Sequence, residues 1–466
     1  MGNEDKALFC AQAAGARIRR TGARRLLRAA PVAVAAAISL LAAGCSGSSS
    51  GSGTTTITVQ EQAGDNNVAT IQKAAALFEA ANPGVKVKIQ IITSTAKNSS
   101  NALVLSGINA PDVGFVPTNS AAYSQLLANH ALTSLDDVWS AADLTSRTPT
   151  AINAALTAPD GHHYVVSNDS VYYSIVYYNK NLFSKAGITV PSDHRIASAA
   201  DLYAMVGKLK AVGAQGLGLG GKSGYAASWM LDALLPTATT SAELNNYLSS
   251  WTTSSKITAK YTDPDFIATL DALEGYAKNN VYQTGYLATD TPAVEASFEQ
   301  GKLGMMIDGS WEAATLRTDV KSSFGFDWLL LPPVNAGSKT QLTAYAGDAM
   351  AIPVHAKNIG LAKKFLEFFM SENNLEQAVI KAGSNLASVN MPSSAYTALD
   401  PLVQEMLADV KTNGSQSGWT STVPGTLGQT YFDPLIQQMY AGQASSAQIA
   451  AKLESQLTAV RSGATS

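Results

Sequence analysis

Apolar and polar positions along the chain change period repeatedly, and each change marks an element. TITVQ (56–60) is short and β-branched, which predicts a strand. Val68, Ile71, Ala75 and Phe78 then recur at helical spacing, and Asn82-Pro83-Gly84 stops that helix. VKVKIQII (85–92) alternates and becomes wholly apolar at its end, a second strand. Strand, helix and strand over 56–92 have the length of a βαβ unit. A helix near 97–106 leads to DVGFV (112–116), another buried strand. The alternation implies an α/β lobe with a mostly parallel sheet.

The middle repeats this style. VYYSIVYYNK (171–180) reads as one aromatic-rich strand, 199–212 as a helix, LGLG as a short strand and 225–235 as a helix. Helices are expected over 264–278 and 294–299, with the strand LGMMI (303–307) after them. AYAGDAMAIP (344–353) reads as a strand and 359–370 as a strongly amphipathic helix. The last helix carries Ile449, Leu453, Leu457 and Val460 on one face.

Ahead of these elements the pattern is different. Basic residues cluster up to Arg28, and the apolar stretch APVAVAAAISLLAA (30–43) follows; it is too short to span a bilayer but suits a signal-peptide core. It ends in AAGC, which resembles the lipobox of bacterial lipoproteins, with Ala42 in place of the usual leucine. That resemblance implies a signal peptide over 1–44 and lipidation of Cys45. The Arg24-Arg25 pair also fits a twin-arginine export signal. Residues 45–56, SGSSSGSGTTT after the cysteine, read as a flexible tether. The expected location is therefore the extracellular face of the cell membrane, held by the lipid anchor.

Charge and cysteine content narrow the function. The chain carries 32 basic and 35 acidic residues, a net −3, and is 46% hydrophobic but only 14% charged. Seven of the basic residues and two of the acidic ones lie before residue 45, so the body has 25 against 33, a net −8. An acidic body without a basic run argues against nucleic acid as a partner. Cys10 and Cys45 are the two cysteines, so the body has no disulfide and no thiolate metal site. His130, His162, His163, His194 and His355 lack metal-ligand spacing, and the adjacent pair is expected to point to opposite faces of a strand.

One string invites a sharper reading. GLGLGGKS (216–223) fits both G-x-G-x-x-G and G-x-x-x-x-G-K-[ST]. Either fingerprint requires a buried strand before the loop and a helix after it. Here the preceding YAMVGKLKAV is helical, and Leu217 and Leu219 make the glycines part of a strand. Neither a nucleotide nor any other cofactor is expected.

Four segments, in order, carry a resemblance. FEQGKLGMMIDGSWE (298–312) is close to F-x-x-G-K-A-A-M-x-x-x-G-x-W, and DGHHYVVSNDSVYYSIVYYNKNLFSKAGI (160–188) to a D-G-K-x-Y strand followed by Y-Y-N-K-D-L-F-x-K-A-G. APDVGFV (110–116) and AIPVHAKNIGLAKKFLEFFMS (351–371) complete the set. Together they resemble the family 1 extracellular solute-binding proteins of ABC importers, the maltose-binding-protein-like group. The resemblance implies an α/β, two-lobed periplasmic-binding-protein-like fold of type II, with the ligand cleft between lobes joined by a hinge. The first lobe takes 56–168 and 349–395, the second 169–348 and 396–466. The implied function is capture of a mono- or oligosaccharide by cleft closure and delivery to a membrane permease, by a monomer without enzymatic activity.

A sugar site needs aromatic platforms and hydrogen-bonding side chains. The resemblance places Trp311 as a stacking platform, Tyr225 at the cleft with Lys222 and Ser223 beside it, and Tyr172 at a cleft position with Tyr173 on the opposite face. Gln60, Gln62, Asn119 and Ser120 follow strand C-terminal ends, where open α/β sheets bind ligands. Asp348 is a carboxylate inside an apolar strand and needs a partner. Trp419 lies in a Gly/Ser loop, and Tyr431 opens a C-terminal helix. Two rival classes use similar parts. A glycoside hydrolase needs paired carboxylates, but Asp308 or Ser310 reads as a helix cap and Glu312 as a partner of the helix dipole. A surface sensor or adhesin of the same fold, or a binding protein for a non-sugar solute, is the other alternative.

Overall fold

The computed structural model describes residues 54–63, 65–93, 100–253, 256–320, 323–347 and 349–462. The leader, Cys45, most of the tether and Asp348 lie outside the described residues. No described helix is long and apolar enough to cross a membrane.

The N-terminal sheet grows from the βαβ unit that the periodicity predicts. β1 (Thr55–Gln62) and β2 (Val85–Ile92) pair in parallel, joined by the helix Asp65–Ala81. Lys86, Lys88 and Gln90 leave β2 polar and exposed, as suits an edge strand. A bridge from Val59 to Val113 ties β1 to β3 (Gly114–Phe115). Beyond β3 lie β11 (Ala349–Ala351) and β4 (Val165–Ser167), both pairs antiparallel. The sheet is therefore mixed rather than mostly parallel, because β11 returns from far along the chain and enters from the opposite end.

The second large sheet has the order β7-β8-β6-β9, with β6 (Ile175–Asn179) antiparallel to β8 (Leu303–Asp308) and to β9 (Phe326–Leu330). Only β7 (Gln215–Gly218) pairs in parallel, with β8. Alternation along β6 gives the sheet two apolar faces. Val176 and Tyr178 face one core with Met305, Ile307 and Leu329; Ile175 and Tyr177 face the other with Met306, Trp328 and Leu330. Helices cover both faces, among them Tyr225–Ala238, Pro264–Lys278 and Ser446–Arg461 on the first.

Between these sheets lies a small one of order β12-β5-β10-β13, built from β5 (Asp169–Tyr173), β10 (Leu342–Tyr345), β12 (Leu386–Ala387) and β13 (Ser415–Ser417). It forms where two expected strands break. VYYSIVYYNK divides at Ser174, whose φ of 61° lies in the left-handed region and whose hydroxyl donates to the Trp229 carbonyl at 2.7 Å. AYAGDAMAIP divides near Gly347, where φ is 73° and a Cβ would meet Asp169 Oδ1 at 2.3 Å. Each break sends the two halves into different sheets, so the chain crosses between the lobes there. The fold is therefore a two-lobed α/β architecture with the small sheet at the crossing.

His162 and His163 also depart from expectation. Both rings turn to one carboxylate, with His162 Nδ1 at 2.7 Å and His163 Nδ1 at 3.3 Å from Asp136. His163 sits at an isolated bridge rather than within a strand, so strand alternation does not apply.

Candidate functional site

A cleft of about 490 Å³ opens where the small sheet meets the ends of the two large ones. One wall is aromatic. Trp229 is the centre of a chain of rings, 4.9 Å from Tyr225, 5.6 Å from Trp311 and 5.6 Å from Tyr173. Tyr225 opens the helix Tyr225–Ala238, and Trp229 lies one turn on, so both project from one face.

The GSW turn after β8 sets Trp311. Tyr177 Oη donates to the Gly309 carbonyl at 2.9 Å. Ser310 and Tyr172 exchange two bonds: Ser310 N–H to the Tyr172 carbonyl at 2.7 Å, and Tyr172 N–H to Ser310 Oγ at 3.1 Å. The Trp311 ring then lies over Gly309, where a Cβ would sit 2.1 Å from the indole. A side chain at 309 would push the platform away. Across the cleft, Asn66 Nδ2 donates to the Trp311 carbonyl at 3.3 Å and Tyr345 Oη to Asn119 Oδ1 at 3.1 Å.

Of the expected ligand residues, the structure brings Trp311, Tyr225, Gln62 and Asn119 to the cleft. The other described ones stand elsewhere. Gln60 is fully buried, and its Oε1 accepts from Asn101 Nδ2 at 3.1 Å and Phe115 N–H at 3.3 Å, tying β1 to its neighbours. Ser120 caps the helix Ala121–Ala128 by accepting from Tyr123 N–H at 3.0 Å. Lys222 is exposed beside Asp290 at 3.5 Å, and Ser223 Oγ accepts from Thr291 N–H at 3.0 Å. Tyr172 packs its ring against the core and lends its backbone to the GSW turn; Tyr173, on the other face of β5, lines the cleft instead. Trp419 is buried among Tyr261, Phe266 and Phe432, with Nε1 donating to Tyr261 Oη at 3.2 Å; its neighbours Thr420 and Ser421 reach the cleft. Tyr431 packs on the second core, whereas Gln429 reaches the cleft. Asp348 is outside the described residues.

The glycine string combines both readings. It does run from strand β7 through 221–223 into the helix at Tyr225. Yet the N–H groups of Lys222, Ser223 and Gly224 are committed to the carbonyls of Thr289, Gly220 and Gly221. They stitch the loop to its neighbours rather than facing outward as an anion nest.

Missing from the sequence reading is a cluster of acids. Glu295, Asp308 and Glu312 each place a carboxylate oxygen within 4.8 Å of the other two, and all three line the cleft beside Trp311. Asp308 Oδ1 accepts from the Gly309 N–H at 2.8 Å, and Ser310 is occupied with Tyr172, so neither is a simple cap. Glu312 does open the helix Glu312–Val320, but it is buried there. Burial and then the charge of Asp308 push Glu312 up to about 10; burial and Glu295 hold Asp308 well above the carboxylate range. Among the described residues, no lysine, arginine or histidine lines the cleft, while Asp169 adds a fourth acid.

This cluster makes a prediction about stability. Glu312 has a higher pKa folded than unfolded, so its stabilising share is complete below about pH 4.5 and is lost as pH climbs toward 10. Glu312→Gln cannot ionise. Its Tm should exceed that of the parent protein by roughly 2–4 °C near pH 8 and by much less near pH 5. Thermal melts at the two pH values check this; an equal difference at both contradicts it.

Known proteins place the architecture. A family model for bacterial extracellular solute-binding proteins matches residues 48–375. An uncharacterised ABC transporter extracellular-binding protein of Pyrococcus horikoshii is 26% identical over 212 residues, 42% of this chain and 46% of that one. A Brucella abortus protein named as a binding protein is 24% identical over 272 residues, 52% of this chain and 59% of its own. The chain thus spans about half the length of the curated relatives it matches. Among solved structures, a chitin oligosaccharide binding protein superimposes with a TM-score of 0.71 at 18% identity, over 88% of this chain and 100% of that one. The solute receptor AcbH, described as preferring β-D-galactopyranose, gives 0.69 at 18%, again over 88% and 100%. The GacH receptor of Streptomyces glaucescens, solved with acarbose, gives 0.67 at 20%, over 88% and 99%. At such identities these structures speak for the fold, and the family match speaks for the lineage: this chain belongs to the bacterial extracellular solute-binding proteins.

Proposed function

We propose that the protein captures a carbohydrate, a mono- or oligosaccharide, in this cleft and delivers it to an ABC importer from the outer face of the membrane, where a lipid on Cys45 anchors it. The observation that carries the reading is the wall of Tyr225, Trp229 and Trp311 opposite a polar rim. Sugar rings offer C–H faces to such a wall and hydroxyls to such a rim. Gln62, Asn66, Asn119, Asn385, Thr420 and Ser421 supply that rim. The proposed lobes are 56–168 with 349–395 and 169–348 with 396–466, moving about the crossing sheet. Closure would be driven by bonds that exist only in the closed form. Structural neighbours described as binding chitin oligosaccharide, galactopyranose and acarbose agree with this class.

Hydrolysis is not part of the proposal. The three clustered carboxylates stand together beside Trp311, whereas a hydrolytic pair must flank the scissile bond from opposite sides. The charge of the cleft lining also predicts what is refused. Among the described lining residues an anionic solute would meet four acids and no base, so uronic acids and sugar phosphates should bind poorly. In thermal-shift measurements on the purified protein, some uncharged or basic carbohydrate should raise Tm by roughly 3–5 °C at a hundredfold excess over Kd. A wide carbohydrate panel without a shift, alongside a clear shift with a peptide or an anion, would sink the assignment.

A further inference from the structure

We propose that the corner formed by Glu295, Asp308 and Glu312 is a subsite for a protonated amine, so that the captured carbohydrate is a basic amino sugar. The inference rests on the carbohydrate reading for the rest of the ligand. The corner is assembled from three elements: the helix Thr291–Glu299, the end of β8 and the start of the helix Glu312–Val320. Asp308 is 1% exposed and bonds to Glu295 and the Trp311 side chain, whereas Glu312, only 5% exposed, has an Oε1 that accepts no hydrogen bond. Buried acceptors without donors are costly, and a ligand that supplies the donors recovers that cost.

Geometry and charge select the donor. One ammonium can reach three oxygens at about 2.8 Å only when they lie within roughly 5 Å of one another. The corner's oxygens lie within 4.8 Å of one another. Its acids have no basic neighbour among the described residues that line the cleft, so the positive charge must come with the ligand. Burial and mutual repulsion keep these carboxyls partly protonated until it arrives. Sugar hydroxyls can donate to these oxygens but bring no positive charge to offset the clustered acids.

The surrounding rings favour an organic cation over a metal ion. Trp311, Trp229 and Tyr225 stand along the same wall. Their faces attract a carbon-bound ammonium and the C–H groups next to it. A divalent ion is held by oxygen and gains little from indole.

Titration calorimetry with glucosamine, galactosamine and β-1,4-linked glucosamine oligomers, each against its N-acetyl and its neutral hydroxyl counterpart, tests the proposal. The amine should bind at least about tenfold tighter than either counterpart. Glu312→Gln and Asp308→Asn should erase that advantage, bringing amine and neutral sugar to equal affinity, and a cooperative melt of each variant shows that it folds. Equal affinity for amine and neutral sugar overturns the subsite and leaves the carbohydrate reading standing. Binding of simple non-sugar amines with no response to any sugar overturns the carbohydrate reading and keeps the subsite. A Tm increase with calcium chloride alone, lost in Asp308→Asn, overturns the amine in favour of a metal ion. Absence of binding by any amine overturns it outright.

Discussion

Replacing Trp311 by alanine should raise the Kd for the bound carbohydrate by about 30- to 100-fold, a loss of roughly 2–3 kcal/mol. The size follows from what the ring does. It covers Gly309, meets Trp229 edge to face at 5.6 Å and presents its remaining surface to the cleft. Alanine removes the platform and opens a water-filled gap beneath the ligand. The fold should survive, because Trp311 belongs to neither buried core and its cross-cleft bond from Asn66 is to a backbone carbonyl. Calorimetry read beside a thermal melt separates the two effects. Unchanged affinity would remove Trp311 from the site; a collapsed melt would make it structural. Trp311→Phe should recover part of the loss, since a smaller face still stacks.

The position of Trp311 at the cleft was legible in the sequence because FEQGKLGMMIDGSWE carries it in a recognisable frame. The acids around it were not. Asp308 and Glu312 lie four apart, but the chain turns between them, so helical spacing says nothing about their distance. Glu295 comes from an earlier helix, and only the packing of that helix on β8 brings it near. Short-range logic offers each acid an ordinary task as a cap or dipole partner, and burial overrules it. The same limit explains the strand break at Ser174. VYYSIVYY is aromatic and β-branched on both sides of its serine and reads as one strand, whereas Ser174 takes a left-handed turn and bonds to the carbonyl of residue 229. Trp419 was misplaced for a similar reason. A Gly/Ser loop predicts exposure, yet Tyr261, Phe266 and Phe432, remote in sequence, build a pocket that encloses it. By contrast, the βαβ unit, the amphipathic helix Ile359–Phe369 and the C-terminal helix were all set by local periodicity and appear where it puts them.

The second large effect should come from a residue behind the cleft. Asp232, on the helix Tyr225–Ala238, is 1% exposed. Its Oδ2 accepts from Tyr173 Oη at 2.8 Å and from the Thr420 hydroxyl, and its Oδ1 from the Thr420 N–H at 2.8 Å. It therefore fixes Tyr173 and the 420–421 segment, two parts of the cleft wall that come from distant stretches of chain. Asp232→Ala leaves those donors buried without an acceptor, which should cost about 3 kcal/mol of unfolding free energy and weaken ligand binding as the wall loosens. Asp232→Asn keeps an acceptor for Thr420 and an amide that can donate to the tyrosine oxygen, so it should cost less than half as much. Burial pushes the Asp232 carboxyl up to about 6 against its donors' opposite pull. Its folded pKa exceeds the unfolded value, so its share of stability is complete below about pH 3.8 and declines as pH rises through 6. The asparagine variant lacks this titration, and its deficit relative to the parent should shrink as pH rises from about 4 to 7. Urea unfolding across that range decides the matter: an alanine variant within about 0.5 kcal/mol of the parent would show that Tyr173 and Thr420 are held by something else.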